Sequence, residues 1–585
     1  MSETTRTPWW MGATVYQIYP RSFADSNGDG IGDLQGVLRH LDYLKRLGVD
    51  ALWLSPIFRS PMADAGYDIS DYCDIDPLFG SLADIDRLIA EAHARDIRVL
   101  LDFVPNHTSD EHPWFVESRS SRDNPKRDWY IWRDQPNNWR AALGAGSAWT
   151  WDEHTQQYYL HLFLAKQPDL NWRNPEVVAA MHDVLRFWLD RGIDGFRIDV
   201  IHCTGKDPSF ADDPRCQAGQ PLSDFNDQPY SHEVLRGLRK LVDSYPGDRM
   251  LVGEVNIRST ERVLQYYGAG DELHLAFNFN PLDAPWDPVL FRTCIREVEH
   301  WLQPAGAWPT WVLSNHDNVR QRSRYQGSER AARAAAVLLL TLRGTPFIYQ
   351  GEELGLEDAH IADEARIDPG GRDGCRAPIP WLAEPPHDWN GASPWLPFPP
   401  DADELAAERQ VGAANSMFAL YQRLLAARKA SPALLHGADA LAGLLISLLI
   451  LPRALMLLRE SGSVLLESAP RGLDVTEVRE HLETVPHVAA IHDLHASVVA
   501  TGVPVLTAHV VVDDDCFHDG SLPAVLDALQ LCTVEHFPVA VEHTTFQLEP
   551  ASHRRHEALR LLLHLFQVVL TPERFGVDLV LVRSE

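Results

Sequence analysis

Eight short runs of β-branched and aromatic residues, each followed by a stretch of helical periodicity, set the main limit on how this chain can fold. The runs are Thr14–Pro20, Ala51–Pro56, Arg98–Val104, Gly195–Val200, Met250–Val255, His274–Phe279, Trp311–Asn315 and Pro346–Gly351. They are almost continuously apolar, as strands covered on both faces must be. Between the first two, Leu34, Leu38, Leu41 and Leu44 share one helical face, and Gly48 supplies a stop. Strand and helix alternating in this way predict an α/β fold of the (β/α)8 TIM-barrel class.

The barrel is expected over residues 1–104 and 171–435. Residues 105–170, rich in Trp, Asn and Asp, are too many for a loop after the third strand and predict an inserted subdomain. Residues 352–408, with many Pro and Gly, predict a lid-like insertion after the eighth strand. Both lie at the C-terminal ends of strands, where barrel sites are built. A closing helix is expected over about 415–429.

Composition narrows the partners. The chain carries 52 Lys and Arg against 82 Asp and Glu, a formal charge of −30, which argues against nucleic acid or an anionic membrane as partner. Its 18 Trp, 21 Phe and 15 Tyr are enough to fill cores, so most of the chain is not disordered. Seven cysteines without a CxxC pair read as reduced thiols, and the N-terminus lacks a signal peptide's basic and apolar regions, so a cytoplasmic protein is expected. Residues 440–451 (ALAGLLISLLIL) are apolar or small, but a bilayer span needs about 20 such residues, so no membrane partner is expected. A buried helix and the remnant of a longer membrane helix both fit that segment.

The strand ends carry the chemistry. The third ends in Asp102, with Asn106 and His107 beyond it; the fourth carries Arg197 and Asp199; Glu254 ends the fifth; His316 and Asp317 follow the seventh. Any one acid there is as readily half of a structural ion pair. Four strands ending alike are not explained that way, because inward-facing barrel positions normally hold branched apolar residues. Glycosidic cleavage uses two or three carboxylates in an aromatic mouth, a nucleophile and an acid/base about 5–5.5 Å apart in retaining enzymes. Neighbouring strands are about 4.8 Å apart, so carboxylates ending the fourth and fifth reach that spacing. Arg197, two residues before Asp199, is expected to keep Asp199 ionised.

The segments DFVPNH (102–107), GFRIDV (195–200), GEVNI (253–257) and SNHD (314–317), with QIYPRSF and GTPFIYQGEELG, resemble the α-amylase superfamily, glycoside hydrolase family 13, over about residues 8–435. The resemblance implies that Asp199 is the nucleophile, Glu254 the acid/base and Asp317 the stabiliser of the distorted transition state. It also implies that His107, Arg197 and His316 hold the glucosyl unit, with Tyr67 stacking beneath it. Within the superfamily the chain looks most like the α-glucosidase and oligo-1,6-glucosidase group, which implies that Asp68 of GYDISDY and Arg376 of RDGCRAPIPW pair to hold the non-reducing sugar end. QPDLN (167–171) and Val200 resemble members that cleave α-1,6 bonds, but α-1,4-preferring relatives carry similar segments. No organic cofactor is expected.

Asp25, Asn27, Asp29 and Asp33 place oxygen ligands at alternate positions, as hard cations require. An EF-hand is not expected, because position twelve is Gly36 rather than Glu. The resemblance implies a structural Ca²⁺ or Mg²⁺ on Asp25, Asn27, Asp29, the Ile31 carbonyl and Asp33.

After residue 435 the pattern breaks. The β-sandwich that ends most members of the group is replaced by an apolar junction (436–459), a small α+β module (460–550) and an unassigned tail (551–585). The module resembles the cytoplasmic C-terminal domain of cation diffusion facilitator transporters, through SVLLESAPRGLDVTEVREHL, HDLHASVVATGVPVLTAHVVV and EHTTFQLEP. That resemblance implies a Zn²⁺ site at His492, His509 and His543, with Thr545 where an acidic ligand would stand, and a homodimer formed through the module.

The leading expectation is therefore an exo-acting α-glucosidase of short oligosaccharides, cleaving α-1,4 or α-1,6 bonds with retention. A transglucosidase or a trehalose- or sucrose-rearranging isomerase is the alternative on the same fold. A catalytically idle barrel fused to a metal-sensing dimerisation module is the alternative of another class, and retention of Asp199, Glu254 and Asp317 speaks against it.

Overall fold

The computed structural model describes residues 7–144, 146–217, 227–431, 434, 473–500, 503–535, 541 and 543–553. The chain divides into two compact units, with the boundary near residue 444.

In the first unit eight parallel strands form one sheet: β1 (Val15–Ile18), β2 (Ala51–Leu54), β3 (Arg98–Phe103), β4 (Gly195–Ile198), β5 (Met250–Gly253), β6 (Leu275–Ala276), β7 (Thr310–Val312) and β8 (Thr345–Tyr349). Their order is β6-β5-β4-β3-β2-β1-β8-β7, a barrel closed everywhere but between β6 and β7. There a side chain bridges the gap: the Thr310 hydroxyl donates to Ala276 O at 2.8 Å and accepts from Asn278 N at 3.2 Å. The expected eight-stranded barrel is what forms. Its interior is filled by Val15, Trp53, Leu100, Met250, Val252, Leu275, Val312 and Phe347, with Trp10 packed into the same cluster. A larger apolar layer joins the sheet to its helices.

The helix expected between β1 and β2 is broken. Residues Leu34–Arg39 and Leu41–Leu47 are separate helices meeting at His40, whose ring bonds Gly36 O at 2.8 Å and stacks on Trp381 at 3.6 Å. His40 itself has φ −105° and ψ 8°, outside helical geometry. Gly48 does end the second helix, at φ 101°.

Between β3 and β4 a short helix (Pro113–Ser118) and a three-stranded sheet are followed by the long helix Pro175–Asp190, which leads back into the barrel. After β8 the chain runs in turns, short 3-10 segments and two one-turn helices (Ala402–Leu405, Ala407–Gln410), and it lies against the loop at residues 25–33 through Ala392 N to Gly28 O (2.8 Å) and Trp395 N to Gly30 O (3.0 Å). The closing helix spans Met417–Ala430.

In the second unit, β9 (Val488–Ala500) pairs antiparallel with β10 (Val503–Val512), which pairs parallel with β11 (His543–Pro550). Helices Val475–Leu482 and Leu522–Glu535 contribute Val478, Leu482, Val525 and Leu529 to a core with Ile491, Leu506 and Val510. This is the α+β module expected. Among the described residues no helix is long and apolar enough to cross a membrane. The segment 440–451, and almost all of 436–472 and 554–585, lie outside the described residues.

Candidate active site

The barrel register builds the site. Arg197 on β4 lies level with Asp102 on β3, and both side chains are buried. The ladder continues past the strand ends, with Asp199 N donating to Phe103 O and Glu254 N to Ile198 O, each at 2.8 Å. Val200 then takes φ 31°, a strained setting for a β-branched residue that turns the chain sharply away just after Asp199. The result is one guanidinium serving three acids. Arg197 Nη1 donates to Asp102 Oδ1 (2.8 Å) and Asp199 Oδ1 (2.7 Å), and its Nη2 contacts Glu254.

A wall of rings stands beside these acids. Tyr67 Oη lies 2.6 Å from His316 Nε2 and donates to Asp102 Oδ2 at 3.1 Å, where Trp53 Nε1 also donates at 3.1 Å. Gln17 Nε2 lies 2.7 Å from His316 Nδ1. On the other side, Gln167 Nε2 donates to Asp64 Oδ2 (2.9 Å) and faces His107 Nε2 (3.1 Å), so QPDLN fastens the inserted subdomain to this wall.

The expected Asp68–Arg376 pair does not form. Asp68 is fully buried and spent on its own loop, accepting from Ser60 Oγ and from the backbone N–H groups of Ala63 and Asp64. Arg376 is also fully buried and donates to His316 O, Asp317 and Asp368. The pair the structure makes is Asp64 with Arg372, at 2.6 Å, and Arg372 also donates to Asp317 at 2.9 Å and Asp368 at 2.6 Å. The sequence showed two Asp in DAGYD and two Arg in GRDGCR, with nothing in composition to choose between them. Gln17, Trp53, Asp64, Gln167 and Arg372 were absent from the expected set because amides, indoles and ion-pair partners carry no motif of their own.

Burial governs the protons here. It pushes Asp199 well above the usual carboxylate range; Arg197 opposes this, while the negative charges of Glu254 and Asp102 add to it. Arg197 is bonded to Asp199 as expected, and burial beside Glu254 and Asp102 works against it. Burial also lifts Asp102 to about 6, against Arg197, Trp53 and Tyr67. At Asp317 burial is outweighed by His316, Arg372, Arg376 and Arg197, so its carboxyl falls well below the usual range. Burial lowers His107 to about 4 and His316 to about 3, leaving both rings neutral.

The loop at 25–33 is compact. Asp25 accepts from the N–H groups of Asn27, Gly28 and Gly30; Asn27 Nδ2 donates to Asp29; Asp33 accepts from Ser26 and Gly36. Gly28 and Gly30 have φ 84° and 87°, and a Cβ on either would strike the backbone of Asn390 or Ser393.

In the second unit, His492 and His509 sit opposite each other on β9 and β10, ring centroids 5.2 Å apart. His543 does not join them. It pairs with Val505, four positions from His509 and so roughly 13 Å along the strand. Glu549 takes that place, with Oε1 2.8 Å from His509 Nδ1 and Oε2 3.6 Å from His492 Nε2. Ligand atoms of His492, His509 and Glu549 all lie within 4.8 Å of one another. Strand parity accounts for this, because Gln547 faces His509 and Glu549, two residues on, shares its side of the sheet.

The alpha-amylase catalytic-domain model matches residues 17–437. The chain belongs to the α-amylase family. It is an enzyme of the glycoside hydrolase type within that family's α-glucosidase group. It is 44% identical to a probable alpha-glucosidase of Rhizobium meliloti (strain 1021), covering 75% of this chain and 86% of the relative. It is 40% identical to an oligo-1,6-glucosidase of Parageobacillus thermoglucosidasius, covering 73% and 85%. Among solved structures it resembles an alpha-glucosyl transfer enzyme, with 44% identity, a TM-score of 0.70 and coverage of 74% and 86%. Residues 470–551 match the cytoplasmic domain of cation efflux proteins.

Proposed function

We propose that the chain is a retaining, exo-acting α-glucosidase that removes glucose from the non-reducing ends of short α-1,4- or α-1,6-linked glucosides. One observation supports this most: Asp199 and Glu254 share the Arg197 guanidinium, while Arg372 joins Asp317 to Asp64 at one edge of the same site. In this reading Glu254 gives its proton to the glycosidic oxygen as the Asp199 carboxylate attacks the anomeric carbon, and the aglycone leaves with that proton. Glu254 then takes a proton from water, which attacks the glucosyl ester and frees Asp199. Asp317, held ionised, binds sugar hydroxyls as the ring distorts. Tyr67, His107 and His316 line the glucosyl unit, and the Asp64–Arg372 clasp blocks longer chains from running through. The test is a reducing-end-labelled maltotetraose. Loss of one glucose at a time, absent in an Asp199→Asn variant, supports the reading, and internal cleavage refutes the exo mode.

A second reading, glucosyl transfer in place of hydrolysis, is favoured by the likeness to an alpha-glucosyl transfer enzyme. Product analysis by NMR on maltose and on sucrose separates the two: free glucose for hydrolysis, rearranged or lengthened glucosides for transfer.

Two metals accompany the proposal. Asp25, Asn27, Asp29, Asp33 and the Ile31 carbonyl offer oxygen donors of the kind a structural Ca²⁺ or Mg²⁺ takes; Asp25 and Asp33 now spend theirs on loop N–H groups and would turn to the ion, which would brace the loop and take no part in chemistry. His492, His509 and Glu549 suit Zn²⁺ in the second unit, as two imidazoles and a carboxylate. The module is also where a homodimer would form, in keeping with its cation-efflux likeness.

A further inference from the structure

Gln17 stands inside the barrel on β1, a position that packing would normally give to a branched apolar residue. A buried amide there is costly unless its hydrogen bonds are made. Both hydrogens of its Nε2 have acceptors: Ser55 Oγ at 3.2 Å and His316 Nδ1 at 2.7 Å.

We infer that Gln17 is a positioning residue for the proposed glucoside cleavage, keeping the His316 ring proton on Nε2; this rests on the α-glucosidase reading. With Nδ1 accepting from Gln17, the ring proton on Nε2 faces Tyr67 Oη at 2.6 Å and Asp317 Oδ2 at 3.2 Å, so the Asp317 carboxylate favours the same tautomer that Gln17 selects. Tyr67 is then free to give its own proton to Asp102 Oδ2 at 3.1 Å. The donors run in one direction, from Gln17 through His316 and Tyr67 to Asp102, whose other oxygen accepts from Arg197 at 2.8 Å. In the opposite tautomer Tyr67 would donate to Nε2, and Asp102, already pushed up to about 6 by burial, would lose an acceptor bond. Asp102 shares Arg197 with Asp199 and Glu254, so the order set at Gln17 reaches the reacting carboxylates. The groups facing the His316 ring are Tyr19 and Tyr67, both near-parallel to it, Trp53 edge-on, and the charges of Asp317, Arg197, Arg372 and Arg376. Among these ring contacts, the one made by Gln17 meets Nδ1.

The test begins with the unaltered chain labelled with ¹⁵N-histidine, the His316 signal being identified by its loss in a His316→Gln variant. The expected result at neutral pH is a proton on Nε2. In Gln17→Met the Nδ1-protonated form gains a measurable share against the pull of Asp317 on Nε2; in Gln17→Glu the new carboxylate draws the proton to Nδ1 more strongly. In both variants kcat on p-nitrophenyl α-glucoside falls about tenfold with KM little changed. The acid limb of kcat/KM moves to higher pH as Asp102 holds its proton more tightly. A native ring protonated on Nδ1 in an active enzyme overturns the inference alone. So do folded variants that keep the native kcat and acid limb, which would leave Gln17 a packing residue. A native chain that releases no p-nitrophenol sinks the glucosidase reading, and the role of Gln17 with it.

Discussion

Arg372 lies between Asp64 and Asp317, 2.6 Å from the first carboxylate and 2.9 Å from the second. It therefore ties the loop after β2 to the acid after β7, and with His316, Arg376 and Arg197 it holds the Asp317 carboxyl below its usual range against burial. Arg372→Ala and Asp64→Ala are each expected to lower kcat/KM on maltose about 100-fold, since a charged hydrogen-bonding group is lost from the sugar site. Asp68→Asn behaves differently. It weakens a carboxylate that accepts three bonds from its own loop, so about 1–3 kcal/mol of stability is lost while kcat/KM holds. Kinetics beside urea unfolding check both. A larger kinetic loss in Asp68→Asn would restore Asp68 as the sugar ligand.

Glu352, just past β8, is buried and donated to weakly by Tyr421 Oη at 3.4 Å. Burial pushes it up to about 8, against an ordinary value near 4.5. A carboxyl with a raised folded pKa binds its proton more tightly folded than unfolded. Its contribution is present below about pH 4.5 and is lost as pH rises towards 8. The melting temperature should fall across that window, and Glu352→Gln should flatten the fall. An unchanged slope in the variant refutes this account of Glu352.

Chelation tests the loop at 25–33. EDTA is expected to lower the melting temperature by a few degrees, Ca²⁺ or Mg²⁺ to restore it, and Asp25→Ala to abolish the difference. A melting curve indifferent to EDTA and to added cation counts against a metal there.

In the second unit the three candidate histidines separate. Zinc titration by calorimetry should show binding lost in His509→Ala and Glu549→Ala and kept in His543→Ala. Loss in His543→Ala would favour the site expected from sequence over the one the fold assembles.

The eight strands and the residues Asp102, Arg197, Asp199, Glu254, His316 and Asp317 were legible because strand periodicity fixes which face each side chain takes and the strand ends bring them to one rim. What was not legible depended on geometry beyond one element. Asp64 and Asp68 share a loop, and only the path of that loop shows that one turns to Arg372 and the other to backbone N–H groups. Glu549 and His543 share a strand, and the register decides between them. The helix break falls at His40, whose ring stacks on Trp381 from far along the chain, a contact that local periodicity does not show.

The central claim is cleavage with retention by Asp199 and Glu254. Its most direct test is proton NMR of the first sugar released from p-nitrophenyl α-glucoside, followed before mutarotation, beside an Asp199→Asn variant of matched circular dichroism. The account predicts α-glucose as the first product and a fall of at least about 10⁴-fold in the variant. β-Glucose appearing first, or a variant as active as the native chain, would contradict it.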